Sequence, residues 1–149
     1  MKIVTTNRKA KYDYHVIETW EAGIVLFGSE VKSLRDGLAS VVGAFISIKD
    51  YKVILHGMHI DEYKNANSSW NQFEANRNRV LLLKKKEIRK IEDQLHQKGF
   101  TLVPLKVFFN DSGLAKVEIA LCQGKKNYDK RQAERKKQDN KEMGGMQWK

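Results

Sequence analysis

Cysteine is almost missing from this chain of 149 residues; Cys122 stands alone. A single cysteine forms no intramolecular disulfide and excludes the common structural zinc sites. No apolar run approaches the roughly 20 residues that a spanning helix needs. Residues 1–11 lack the apolar stretch of a secretory signal, so a reducing, cytoplasmic location is expected. Asn67-Ser68-Ser69 matches a glycosylation acceptor, which has no meaning in that compartment. Neither a glycine-rich phosphate loop nor a serine elbow is present. His56 and His59 lie three apart in a strand pattern, on opposite faces, and do not easily share a metal. Carboxylates are scattered, with only Glu18 and Glu21 able to converge. The residues imply no cofactor, no metal and no catalysis.

Negative charge is also short. Against 28 Lys and Arg stand 18 Asp and Glu, and the pI is near 9.7. A polyanion is the first partner to consider, either nucleic acid or an anionic membrane surface. The basic C-terminal stretch has no apolar stripe and makes a poor membrane-lying helix, which leaves nucleic acid.

The length suits one domain plus a tail. Residues 1–11 are short, polar and basic, and read as an arm that orders only on contact. Tyr14, Val16 and Trp20 alternate with His15, Ile17 and Thr19 as a first strand. Glu21-Ala22-Gly23 reads as a turn and 24–27 as a second strand. Ser29 is placed to cap a short helix with Val31 and Leu34 inward and Lys32 and Arg35 outward, stopped by Asp36-Gly37. A hairpin follows, 45–48 and 53–60 around Lys49-Asp50. The segment 61–79, with isolated Trp70 and Phe73, reads as a long loop. After the apolar run 80–83, the spacing of Ile88, Ile91 and Leu95 predicts a helix over 84–98, with Gly99 at its C-terminal cap.

The span 100–109 is a strand apolar on both faces, as in a sheet covered on both sides or bent into a barrel. Pro104 within it belongs at an edge or a bulge. Asp111-Ser112-Gly113 turns the chain into the last strand, 114–122, where Val117, Ile119 and Leu121 alternate with Lys116, Glu118 and Ala120. The fold class is mainly β: about six strands and two or three short helices, suggesting an oligonucleotide-binding-type barrel. A half-open α+β sheet is the alternative.

At Gly124 the chain changes character. From 125 to 141 eight cations face three anions, a net +5 and half of the chain's formal +10. With almost no apolar residue, this tail does not offset the entropy of ordering and is expected to be disordered when free. Asn127 suits an N-cap, and Asp129 and Lys141 suit a helix dipole, so the tail reads as a segment that folds on binding. Tyr128 among cations is what stacking on an unpaired base requires.

Several motifs then occur in order: Asn7-Arg8-Lys9-Ala10, Glu21-Ala22-Gly23, Glu30-Val31-Lys32-Ser33-Leu34-Arg35, Leu81-Leu82-Leu83, Val103-Pro104-Leu105, Gly124-Lys125-Lys126 and Asp129-Lys130-Arg131. Together they resemble the SsrA-binding protein (small protein B) family over nearly the whole body. The resemblance implies a non-catalytic barrel, over 1–124, that grips the tRNA-like domain of transfer-messenger RNA. With elongation factor Tu, held through the RNA, the complex enters the A site of a stalled ribosome. The tail, 125–149, enters the mRNA channel, becomes helical there and replaces codon–anticodon pairing. The protein is implied to act as a monomer.

Carried over residue by residue, the resemblance places Asn7, Arg8, Glu21, Leu82 and Lys116 at the RNA-binding face, with Lys32 and Arg35 as further candidates. A carboxylate such as Glu21 accepts hydrogen bonds from an unpaired guanine edge, and cations such as Arg8 and Lys116 meet phosphates. Without the resemblance, Glu21 is a solvated turn carboxylate, Leu82 a core residue, and Arg35 a brace for the barrel. Lys125, Lys126, Tyr128, Asp129, Lys130 and Arg131 correspond to the ribosome-contacting motif, with Tyr128 where many members have His. Gly144-Gly145 stops any helix in the tail. Two other readings compete: a general ribosomal or tRNA-binding protein on the same barrel, and an RNA-modifying enzyme.

Overall fold

The computed structural model describes residues 1–62, 74–97 and 99–124. Its elements are β1 Lys2–Thr6, α1 Arg8–Asp13, β2 Tyr14–Ile24, α2 Gly28–Arg35, β3 Ala39–Ser40, β4 Phe45–Lys49, β5 Lys52–His56, β6 His59–Ile60, β7 Arg79–Leu82, α3 Lys85–Leu95, β8 Phe100–Phe109 and β9 Ala115–Gly124. Six strands run β8-β4-β5-β7-β2-β9, all antiparallel, and β9 pairs back with β8. That closes a ring. The seam is narrow, a single pairing of Ile46 with Leu102. The other three strands lie outside the ring: β1 takes the half of the β8 edge that β4 leaves, and β3 pairs with β6.

The interior follows the strand period of two. Ile46, Val53, Leu55, Leu81, Leu102, Val117, Ile119 and Leu121 face inward, and Leu34 of α2 with Ile88 and Ile91 of α3 complete the core. The opposite face of β8 and β9 carries Val103, Leu105, Ala120 and Cys122, covered by Ala10 of α1. This is why 100–109 reads as apolar on both sides. Pro104 sits beside a break in register between Pro104 and Lys106, a bulge of the kind that a missing N–H requires.

Several boundaries differ from the sequence reading. The N-terminal segment is strand and helix, not an arm awaiting contact. Pairing with β8 satisfies its backbone, the Met1 ammonium meets Asp111 at 2.9 Å, and Asn7 caps α1 by accepting from the Ala10 amide. Glu21-Ala22-Gly23 is no turn. β2 runs straight through it, held by β9 from Tyr14 opposite Gly124 to Gly23 opposite Lys116. Small residues there suit close packing: Ala22 is fully buried in the core. α2 is capped not by Ser29 but by Glu30, whose Oε1 accepts from the Phe27 amide at 2.9 Å. The predicted strand 53–60 breaks at Gly57, whose φ of +81° ends β5. α3 ends at Leu95, earlier than the pattern suggests, and Gly99 does adopt the left-handed conformation, at φ +86°.

Candidate nucleic-acid interface

On the outer wall of the barrel, β7, β2 and β9 lie side by side, and their register decides which side chains meet. Gly23 pairs with Leu82 on one side and Lys116 on the other. A Cβ at Gly23 would touch both, 3.4 Å from the Leu82 Cβ and 3.8 Å from the Lys116 Nζ. Leu82 is 58% exposed, so it is not a core residue; Leu81 beside it fills the core instead. The wall thus offers an apolar side chain and an ammonium group across a glycine floor. Leu26, Val31 and Leu114 border the same hollow.

Glu21 lies two residues before Gly23 and points to the same face. It is exposed, and its cross-strand neighbour is Glu118. Like charges directly opposite are unfavourable in a sheet. Glu118 is drawn to the other side by Lys106, whose Nζ is 3.9 Å away and also lies 5.7 Å from the Phe108 ring centroid. No ion pair or hydrogen bond of the Glu21 carboxylate is present among the described residues, so it is presented to solvent as an acceptor.

The remaining candidates separate. Asn7 is buried, and its Nδ2 donates to the carbonyls of Val41 at 3.2 Å and Pro104 at 3.0 Å. Its side chain is fully engaged in placing α1. Arg8 is the exposed first residue of that helix, next to the point where Thr6 pairs with Lys106. Lys32 is exposed on α2. Arg35 stacks its guanidinium 5.2 Å over the Phe109 ring, the bracing role open to it from sequence. Lys125, Lys126, Tyr128, Asp129, Lys130 and Arg131 lie outside the described residues.

Sequence reasoning missed a buried ionic cluster behind this wall. Glu30 and Arg79 are both fully buried and meet at 2.7 Å. Arg77 also binds the Glu30 carboxylate and lies 4.5 Å over the Phe27 ring. Arg79 further donates to the carbonyls of Met58, Arg77 and Ala75, so no charge is left bare. Burial pulls the Arg79 guanidinium below its ordinary pKa, and Glu30 opposes that. The cluster ties α2 to β7, the two elements that carry Val31 and Leu82. The available signal was two arginines alternating with polar residues just before an apolar run. Cys122 is no nucleophile: burial pushes its thiol up to about 11. Among the described residues no group of acidic, histidine or cysteine side chains is arranged to hold a metal. No helix among them is long and apolar enough to cross a membrane.

The closed antiparallel barrel is of the oligonucleotide-binding type, and its outer wall displays an apolar side chain and a cation on either side of Gly23 with a carboxylate acceptor beside them. The comparisons make the family specific. The model described as SmpB protein matches residues 4–147. A protein named SsrA-binding protein from Arthrobacter sp. (strain FB24) is 50% identical over 95% of this chain and 88% of its own length. The SsrA-binding protein of Streptomyces coelicolor is 48% identical over 95% of this chain and 87% of its own length. A solved structure described as "tmRNA-SmpB: a journey to the center of the bacterial ribosome" superposes with a TM-score of 0.70 at 43% identity, covering 87% of this chain and 93% of that one. The chain belongs to the SmpB, or SsrA-binding protein, family.

Proposed function

We propose that this chain is a non-catalytic, cytoplasmic RNA-binding factor of ribosome rescue. Its barrel takes the tRNA-like domain of transfer-messenger RNA, and the RNA complex with elongation factor Tu is delivered to the A site of a stalled ribosome. The observation that carries this reading is the row on the outer wall: exposed Leu82 and the Lys116 ammonium on either side of Gly23, with the Glu21 carboxylate beside them. An unstacked base packs on Leu82, its edge donates to Glu21, and Lys116 neutralises a phosphate. Arg8 and Lys32 add further phosphate contacts, while Asn7 and Arg35 hold the elements in place. The tail from Lys125, with Lys126, Tyr128, Asp129, Lys130 and Arg131, acts at the decoding centre and in the mRNA channel, where it stands in for codon–anticodon pairing.

The test is competition binding. Labelled tRNA-like domain is bound by the full chain, and bulk tRNA competes at two salt concentrations. Poor competition that survives the higher salt supports recognition of a specific RNA shape. Equal competition, with binding that collapses with salt, reduces the function to counterion release and sinks the assignment. Deleting the chain after Gly124 is expected to leave affinity for the tRNA-like domain largely intact and to abolish tagging. Loss of RNA binding on that deletion would overturn the division of labour between barrel and tail.

A further inference from the structure

The outer face of α3 and the tip of the β4–β5 hairpin meet in a shallow hollow of about 510 Å3, lined by Tyr51, Lys85, Lys86, Arg89, Lys90 and Asp93. Lys90 is engaged with Glu18 at 2.9 Å. Lys85, Lys86 and Arg89 have no carboxylate partner among the described residues. Lys85 and Arg89 are four residues apart, so they stand one above the other with a rise of roughly 6 Å.

The hairpin tip holds two local conflicts. Asp50 and Tyr51 both have positive φ, 53° and 62°. That is the turn in which a two-residue hairpin prefers Asn-Gly or Asp-Gly, and an aromatic residue fits it poorly. Directly beneath, Lys49 and Lys52 face each other across the strands, a like-charge pair that is unfavourable in the free protein. Strained backbone and opposed cations at one exposed point are the marks of a surface shaped for a ligand rather than for stability. The Tyr51 ring, 49% exposed, stands at the edge of the cationic hollow.

We infer that this hollow, with the hairpin tip beside it, is a second RNA-binding surface, in which Tyr51 stacks on a base of a single-stranded segment while Lys85, Lys86 and Arg89 in the hollow and Lys49 and Lys52 at the tip neutralise the flanking phosphates. An aromatic platform beside a row of cations is how proteins hold unpaired strands without reading their sequence. The surface lies on elements other than those that carry Glu21, Leu82 and Lys116. It does not depend on which RNA that wall takes.

The experiment uses the full chain and a short uridine-only oligonucleotide carrying 4-thiouridine. Photo-crosslinks mapped by mass spectrometry are expected on segments 49–52 and 85–90. Crosslinks confined to other segments, the tail included, overturn the proposal. The double change Lys86→Glu and Arg89→Glu, on an exposed helix face, is expected to make the dependence of log affinity on log salt shallower by about 1.4, two phosphates of a single strand. An unchanged slope overturns it. Tyr51→Gly separates binding from folding, because glycine relaxes the turn. The melting temperature rises while oligonucleotide affinity falls severalfold, and Tyr51→Phe keeps both near the parent. A Tyr51→Gly protein that binds as well as the parent overturns the stacking role. In none of these variants is affinity for the tRNA-like domain expected to fall more than about twofold, which keeps the two surfaces distinguishable.

Discussion

Two regions of this barrel gather charged side chains, and they do so in opposite ways. Behind the wall, Glu30 and Arg79 are sealed from solvent, and the guanidinium spends its donors on the carboxylate and on three backbone carbonyls. On the wall, Glu21 faces Glu118, Lys116 reaches across Gly23, and Leu82 stands in the open. The first arrangement is complete within the chain. The second leaves its groups open to a partner. A buried charge left without its partner is costly, so such clusters hold structure; an exposed charge loses little alone and is available for binding.

The largest effect expected from this contrast is inside. Arg79→Met takes from Glu30 its fully buried cation, leaves it with Arg77, and deprives the carbonyls of Met58, Arg77 and Ala75 of a donor; stability is expected to drop by about 3–5 kcal/mol. Chemical denaturation of the variant measures it. Combining it with Glu30→Gln should cost less than the sum of the two single changes, because both remove the same buried pair. If the single change costs no more than a surface substitution, the sealed cluster is not the brace described.

Next comes the wall. Leu82→Asp places an anion on the proposed RNA face, and affinity for the tRNA-like domain should fall by at least about tenfold, or about 1.4 kcal/mol. Leu82 is exposed, so the melting temperature should move little. A large drop in stability with unchanged affinity would reverse the roles assigned to wall and interior. A smaller effect is expected at Lys116→Ala, which removes one of the proposed phosphate contacts. Affinity should weaken similarly across RNA sequences, and the salt slope should shrink by about 1.

The smallest prediction concerns a third arrangement, half exposed. His59 meets Asn76 Oδ1 through Nδ1 and Asp61 Oδ1 through Nε2, both at 2.7 Å. Both acceptors are served when the ring carries both protons, and the hydrogen bonds to Asn76 and then Asp61 raise its pKa above 6.5. The sign follows: a raised folded pKa contributes stability below the unfolded value near 6.5, and that contribution is lost as pH rises through the folded pKa. His59→Gln should therefore lower the melting temperature slightly in mild acid and hardly at all in mild base. Equal shifts at both pH values would mean that the proton is not what stabilises the site. Its exposure keeps the effect well below that of Arg79.

Much of the fold was legible. Val117, Ile119 and Leu121 announce a strand by their period, Ile88, Ile91 and Leu95 announce a helix, and Pro104 signals its own bulge. Glu21-Ala22-Gly23 misled because small and charged residues in a row look like a turn when the partner strand is unknown. Residues 2–6 misled because Ile3 and Val4 are adjacent and a shift of register falls beside them, so the strand shows no apolar alternation. Glu30 looked like an ordinary first-turn acid because its partners, Arg77 and Arg79, are more than forty positions away.

By itself, then, the sequence determined the strand-rich body, the basic tail that follows Gly124 and the family that its ordered motifs mark. Those depend on local period, composition and short motifs, all of which are written along the chain. Only the tertiary structure decided that Leu82 is exposed while Leu81 is buried, that Lys116 lies over Gly23, that Asn7 is a buried cap, and that Glu30 and Arg79 neutralise each other. Each of these rests on register between strands distant in sequence, and a shift of one residue would exchange every inward side chain for an outward one.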